Sequence, residues 1–156
     1  MKIIKNFLPK KQFKNIQSIL MGSEFPYYYQ NNYLDEKHKG NALEDCFFVH
    51  IIKDQVDSDI IADNPTLENI LDPIMFNFYP NQHKHIYSNW HTDQDNKNTK
   101  VAIYCVNTCN GYTELKTGEK APSVENSIIL FNANELHRSV TQTNTKRRIN
   151  ININYE

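Results

Sequence analysis

The sequence predicts a mainly β protein with helices at its N-terminal end and an antiparallel jelly roll, the double-stranded β-helix of cupin-like domains, as its core. Three observations carry this. Beyond Pro73, short strand-forming runs succeed one another at 74–79, 86–91, 100–107, 112–115, 127–132, 137–141 and 148–155, each bounded by Asn, Gly, Pro or charged turns. No helical pattern separates them, so they pair antiparallel and close as a sandwich or barrel. Helical spacing is confined to the region before Pro73. A chain of 156 residues suits one domain, 1–156, made of N-terminal helices and an arm (1–72) and a β core (73–156).

The first helix is expected over 10–21, where Phe13, Ile16, Ile19 and Leu20 recur on one face between Pro9 and Gly22. The stretch 23–41 shows no clean alternation and reads as an irregular arm. Its aromatics, Phe25, Tyr27, Tyr28, Tyr29 and Tyr33, are too many for a free linker. They are expected to pack on the domain, with a substrate-facing lid over 27–33 as the alternative. CFFVHII at 46–52 reads as a short apolar strand, and 66–71 after Pro65 as a second short helix. In the last strand Ile149, Ile151 and Ile153 share one face, while Arg148, Asn150, Asn152 and Asn154 share the other. The Ile face is expected to receive the helix 10–21, which leaves the polar face pointing into the barrel. Arg147 falls on the Ile face and is expected to escape at the strand edge.

Composition narrows the function classes. Seventeen Lys and Arg stand against 18 Asp and Glu, a net charge of −1, which argues against a nucleic-acid or anionic-membrane surface. Asn (21) and Ile (17) are abundant, a bias consistent with AT-rich coding, and only 3 of the 17 basic residues are Arg. Cys46, Cys105 and Cys109 form no CxxC pair, so no disulfide framework is expected. No stretch approaches the ~20 apolar residues that span a bilayer, and the start carries no apolar run of signal-peptide length. A cytoplasmic protein is the expectation.

The residues that carry chemistry are Trp90-His91-Thr92-Asp93, then His137, then Arg148. His91 and Asp93, two apart at a strand end, can point to one face, and His137 opens a strand that a jelly roll can lay across from the first. Two imidazoles and one carboxylate with open positions beside them is the arrangement that holds non-haem Fe(II) for dioxygen chemistry. The lack of a cysteine ligand argues against structural zinc. An isolated H-x-D pair is weak; the later His and an inward Arg strengthen it, because a dicarboxylate chelated to the metal needs a bidentate cationic partner for its far end. Trp90, out of phase with His91, is expected in the core. His83 and His85 read as solvated loop, His50 as a satisfied core or cleft histidine, and Cys105 and Cys109 as buried thiols.

These pieces, taken in order, carry a family likeness. Phe78-Tyr79-Pro80, WHTD at 90–93, VAIYCVN at 101–107, GYTEL at 111–115, SIILFNANELH at 127–137 and RRINININ at 147–154 resemble the 2-oxoglutarate/Fe(II) dioxygenase superfamily on its prolyl-4-hydroxylase-like side. NFLPKKQFKNI and FPYYY near the N-terminus are similar to small phage-encoded oxygenases. The resemblance implies His91, Asp93 and His137 as iron ligands and Arg148 as the 2-oxoglutarate clamp, with Arg147 the runner-up. Tyr79 lies where these enzymes often turn a Tyr toward the cosubstrate. Asn77 shares its parity, and Asn150 follows Arg148 on the inner face, so Arg148, Tyr79, Asn77 and Asn150 are the expected cosubstrate residues. Asn110-Gly111 replaces a frequent Gly-Gly, and Cys105 stands where Tyr is common. Asp93 argues against a halogenase, which leaves that position to halide.

The implied function is hydroxylation of an aliphatic C–H, a prolyl-type residue of a peptide or protein first, with Fe(II), 2-oxoglutarate and dioxygen as cofactor and cosubstrates. The alternatives are a hydroxylase of a small free metabolite and a non-catalytic cupin-like metal-binding module. A nucleic-acid demethylase ranks lower, since 23–64 is richer in acids than in bases.

Overall fold

The computed structural model describes residues 1–30, 47–52 and 74–156. The expected helix at 66–71, Cys46 and residues 31–33 of the alternative lid, Tyr33 among them, lie outside the described residues. The elements are β1 (Lys2–Lys5), α1 (Lys10–Leu20), β2 (Tyr28–Gln30), β3 (Phe47–Ile52), β4 (Ile74–Pro80), β5 (Lys100–Cys105), β6 (Tyr112–Leu115), β7 (Lys120–Pro122), β8 (Ser127–Asn132), β9 (His137–Val140) and β10 (Arg147–Tyr155).

All strand pairs are antiparallel, in a seven-stranded sheet ordered β1-β8-β5-β10-β4-β3-β2 and a three-stranded sheet ordered β7-β6-β9. This is the expected jelly-roll class. One apolar layer fills the space between the sheets, with Val101, Ile103, Cys105, Ile129 and Phe131 of the large sheet and Leu115 and Ala121 of the small one. A second lies behind the large sheet, where Phe13 and Leu20 of α1 meet Ala102, Tyr104, Ile128 and Ile149. β5 is therefore covered on both faces, which is why VAIYC is a continuous apolar run and not an alternating one.

β10 takes the orientation its alternation predicts. Ile149, Ile151 and Ile153 pack in the layer that holds α1. Arg148, Asn150, Asn152 and Asn154 are all buried on the other face, toward the small sheet. The helix starts after extended Pro9, with the amide of Phe13 bonding the Pro9 carbonyl at 3.0 Å. At its other end Arg147 donates from Nη2 to the carbonyl of Met21 at 2.7 Å, a cation at the negative end of the helix. Arg147 thus ties α1 to β10 and does not face the barrel. Arg147→Ala is expected to lower the melting temperature by about 2–8 °C, the loss of one charge-assisted bond of about 1–2 kcal/mol, as calorimetry would read.

The run 86–91 does not form the expected strand and makes only two isolated bridges, Tyr87 to Val140 and His91 to His137. Side-chain oxygens have taken ladder positions: the Ser139 amide donates to Ser88 Oγ at 2.9 Å and the Ile86 amide to Thr141 Oγ1 at 2.8 Å. Among the described residues no helix is long and apolar enough to cross a membrane.

Candidate metal centre

His91 and His137 lie directly opposite each other across their bridge. The two residues exchange both backbone hydrogen bonds, His91 N to His137 O at 3.0 Å and His137 N to His91 O at 2.9 Å. That pairing sends both side chains to one face, with ring centroids 4.3 Å apart. Asp93, two residues on, is pinned by its amide to the Ala133 carbonyl at 3.0 Å. One ligand atom from each of His91, Asp93 and His137 lies within 4.8 Å of the others. Asp93 Oδ1 stands 3.6 Å from His91 Nε2 and 3.4 Å from His137 Nε2.

The hydrogen bonds around the cluster set its tautomers. Nδ1 of His91 lies 3.0 Å from the Asn89 carbonyl, and Nδ1 of His137 lies 3.0 Å from the Glu135 carbonyl. A carbonyl only accepts, so each Nδ1 carries a proton, and Nε2, turned toward Asp93, is the nitrogen that offers its lone pair to a cation. Asp93 Oδ2 is buried and has no hydrogen-bond partner. Two lone-pair nitrogens and a carboxylate oxygen on one face, with one carboxylate oxygen buried and unmatched, is the chemistry of a divalent-cation site. These three residues fit Fe(II). Phe131 packs edge-on against His137, with centroids 4.8 Å apart, and gives the cluster an apolar wall.

Arg148 is fully buried. It reaches across to the small sheet, where Nη1 donates to Ser139 Oγ at 2.6 Å and to the Val140 carbonyl at 3.4 Å, and Nη2 to Thr113 Oγ1 at 3.3 Å. Nε has no partner, and among the described residues no carboxylate pairs with this guanidinium. A buried cation matched only by hydroxyls and a carbonyl is costly without an anion. Ser139 is two residues from His137 on β9, so about 6.6 Å of strand separates the guanidinium's contact from the metal cluster.

The other expected cosubstrate residues share this inner face. Tyr79 is the cross-strand partner of Arg148, its ring centroid 5.5 Å from the guanidinium carbon, and Phe47 stacks on its far side at 5.8 Å. Asn77 and Asn150 face each other in register, and Asn77 Nδ2 donates to Asn150 Oδ1 at 3.0 Å.

No protein-family model matches the chain, and no curated protein matches it by sequence. Solved structures do. A prolyl-4-hydroxylase of Pseudomonas putida superposes with a TM-score of 0.65 at 14% identity, covering 99% of this chain and 91% of that one. A prolyl hydroxylase of Trichoplax adhaerens, solved with a hypoxia-inducible-factor oxygen-degradation-domain peptide, gives 0.70 at 16% identity over 99% and 82%. The chain has the prolyl-4-hydroxylase-like fold. The non-haem α-ketoglutarate-dependent epimerase of nogalamycin biosynthesis shares this fold, with a TM-score of 0.65 at 8% identity over 98% and 76%.

Trp90 corrects an expectation. It is half-buried and not in the core: Arg138 covers its ring at 4.3 Å and Lys116 at 4.7 Å, on the outer side of the small sheet. Arg138 also lies 4.6 Å over Tyr87 and donates from Nε to Glu114 Oε2 at 2.7 Å. Burial works to raise the Glu114 pKa, but hydrogen bonds and charge from Arg138 and Lys120 outweigh it and hold the carboxyl below its ordinary 4.5. A carboxylate depressed in this way stabilises the fold fully above the ordinary carboxylate range, and the contribution is lost as pH falls through the folded pKa. Below about pH 4.5, the melting temperature of wild type is therefore expected to drop more steeply than that of Glu114→Gln, read from thermal melts across the acid limb.

Among the described residues the remaining histidines stand apart from the cluster. His50 Nδ1 meets the Pro26 carbonyl at 2.8 Å among Phe25, Tyr28 and Phe76, and His85 Nδ1 meets the Thr141 carbonyl at 2.6 Å. Cys105 and Cys109 are buried free thiols. Gly111 is a site residue whose reason the sequence does not give. A Cβ there would come within 2.9 Å of both Arg148 Cδ and the Val140 carbonyl, so the glycine makes room for the guanidinium's stem.

Proposed function

We propose that the protein is an Fe(II)- and 2-oxoglutarate-dependent dioxygenase that hydroxylates an aliphatic C–H bond, with a prolyl-type residue of a peptide or protein as the favoured substrate. The observation that carries the reading is Arg148, a fully buried guanidinium without an anionic partner among the described residues, set about two strand residues from the His91, Asp93 and His137 cluster on the same inner face. The bare metal cluster alone would suit a cupin-like binding module. Such a module has no use for a desolvated cation beside it.

In this reading His91 Nε2, His137 Nε2 and one Asp93 oxygen hold the iron, and the backbone carbonyls of Asn89 and Glu135 keep both imidazoles in the ligating tautomer. Bound there, Fe(II) supplies the redox chemistry that couples oxidative decarboxylation of 2-oxoglutarate by dioxygen, to succinate and carbon dioxide, with insertion of the second oxygen atom into the substrate C–H. Arg148 takes the far carboxylate through its unspent donors, and the Ser139 and Thr113 hydroxyls hold the guanidinium in place. The Tyr79 ring, braced by Phe47, flanks the guanidinium, and the paired amides of Asn77 and Asn150 line the same wall. Phe131, Ile103 and Leu115 exclude water from that side of the cavity. The prolyl preference is supported by the two prolyl hydroxylases that share the fold, one of them solved with a peptide.

Anaerobic titration of 2-oxoglutarate into the Fe(II)-loaded protein tests the reading, because bidentate chelation produces a visible charge-transfer band. Saturable growth of that band is expected in wild type. A flat spectrum under conditions where Fe(II) itself binds would leave the metal-binding module as the better account.

A further inference from the structure

The inner face of β10 carries a row of carboxamides, and Asn152 in that row has a buried side-chain oxygen with no partner. Asn150 faces Asn77 on β4, and its Oδ1 accepts from Asn77 Nδ2. Two residues on, Asn152 faces Met75 on β4 and Ile103 on β5, neither of which offers a hydrogen bond. Asn152 is only 7% exposed, and its Oδ1 is buried with no partner. Buried amide oxygens in folded proteins are almost always bonded, because leaving one dry costs as much as a lost hydrogen bond. A Leu of similar shape would fill the space between Ile103 and Met75 without that cost, so the polar group is explained by something that comes to it.

We propose that Asn152 is a specificity-determining residue that reads an amide group of the substrate, accepting from it through Oδ1 as Asn150 accepts from Asn77 one step along the strand. The inference rests on the oxygenase reading and extends it to the substrate. A carboxamide offers a donor and an acceptor side by side, the complement of another amide, and the Asn77–Asn150 contact is an example on the same wall. Met75 and Ile103 would hold the aliphatic part of the ligand on either side. The amide can belong to a peptide chain or to a small free molecule, since the contact is the same in both.

The test compares wild type with Asn152→Leu. The metal-free proteins are melted, the affinity of the Fe(II) proteins for 2-oxoglutarate is titrated anaerobically, and succinate formed above the substrate-free level is measured with two probe pools. One pool holds N-acetylated, C-amidated tripeptides and the other free amino-acid amides. The Leu protein is expected to melt about 2–6 °C higher, having lost an unmatched buried polar group. It is expected to keep its 2-oxoglutarate affinity within about twofold and to lose at least about tenfold of the stimulation by one pool, and that pool identifies the source of the amide. A lower melting temperature would make Asn152 a structural residue. Weakened 2-oxoglutarate binding would assign it to the cosubstrate. Equal stimulation of both proteins, or of neither by either pool, would exclude amide reading, and each of these four results overturns the inference. Failure of the oxygenase reading would appear separately, as the absence of Fe(II)-dependent succinate formation by wild type without any probe.

Discussion

Arg148→Met is expected to weaken 2-oxoglutarate binding by ~30-fold to several thousand-fold, about 2–5 kcal/mol, while leaving the ligand-free protein as stable as wild type or more so. The two effects have one cause. The guanidinium is fully buried, its Nε is unpartnered, and its Nη atoms bond only to two hydroxyls and a carbonyl. In the absence of an anion the fold bears the desolvation of a charge, and a Met that keeps the unbranched stem relieves it. With the dicarboxylate bound, the same charge becomes a charge-assisted partner in a cavity that water does not screen. Arg148→Lys keeps the charge but loses the planar fork, so an intermediate loss of affinity is expected. Titration and calorimetry on the same samples separate the roles: unchanged affinity with a large fall in melting temperature would make Arg148 a structural residue.

His137→Ala is expected to abolish metal binding on the scale on which it is measured. Loss of a residue that only orients a ligand commonly costs 10- to 100-fold in metal affinity, so removing a ligand exceeds about a hundredfold. Thermal shift reads this without any turnover. At a divalent-metal concentration 100 times its dissociation constant, wild type gains about 2.7 kcal/mol, ~5–11 °C for a chain of this size, and His137→Ala at the same concentration is expected to show no shift. Asp93→Ala is expected to behave likewise. His50→Ala is the control, because that ring lies in an aromatic cluster on the helix side of the large sheet and meets a backbone carbonyl. A shift retained in His137→Ala would place the metal elsewhere.

The parts of the fold legible in the sequence are those in which a side chain's position follows from period alone. Ile149 to Asn154 gives both faces of β10, and with them the docking of α1 and the inward direction of Arg148. The same parity separates Arg147 from Arg148, and the Met21 contact supplies the reason Arg147 points outward. Short edge strands were not legible. Lys2–Lys5 is two isoleucines between lysines, and Lys120–Pro122 contains a proline that only an edge tolerates. The run 86–91 misleads because its alternation is real, and it keeps backbone bonds to 137–141, while the Ser88 and Thr141 hydroxyls take two of its ladder positions. Trp90 has the parity expected of it, but its face of the small sheet is roofed by Arg138 and Lys116 and not by apolar residues. In the candidate site, the convergence of His91, Asp93 and His137 and the burial of Arg148 on the inner face were legible. The carbonyls of Asn89 and Glu135 were not, because any residue supplies a carbonyl, nor was Gly111, whose need is set by a side chain 37 positions away.

The central claim is that the His91, Asp93 and His137 cluster and the Arg148 cation act together on one cosubstrate. The most direct measurement is succinate formation from 2-oxoglutarate by the purified protein in air, with and without Fe(II), in wild type, His91→Ala and Arg148→Met. Fe(II)-dependent succinate in wild type that falls to background in His91→Ala, and that at subsaturating 2-oxoglutarate falls at least ~30-fold in Arg148→Met, is the predicted result. Equal succinate from wild type and His91→Ala, or none from wild type under any of these conditions, would contradict it.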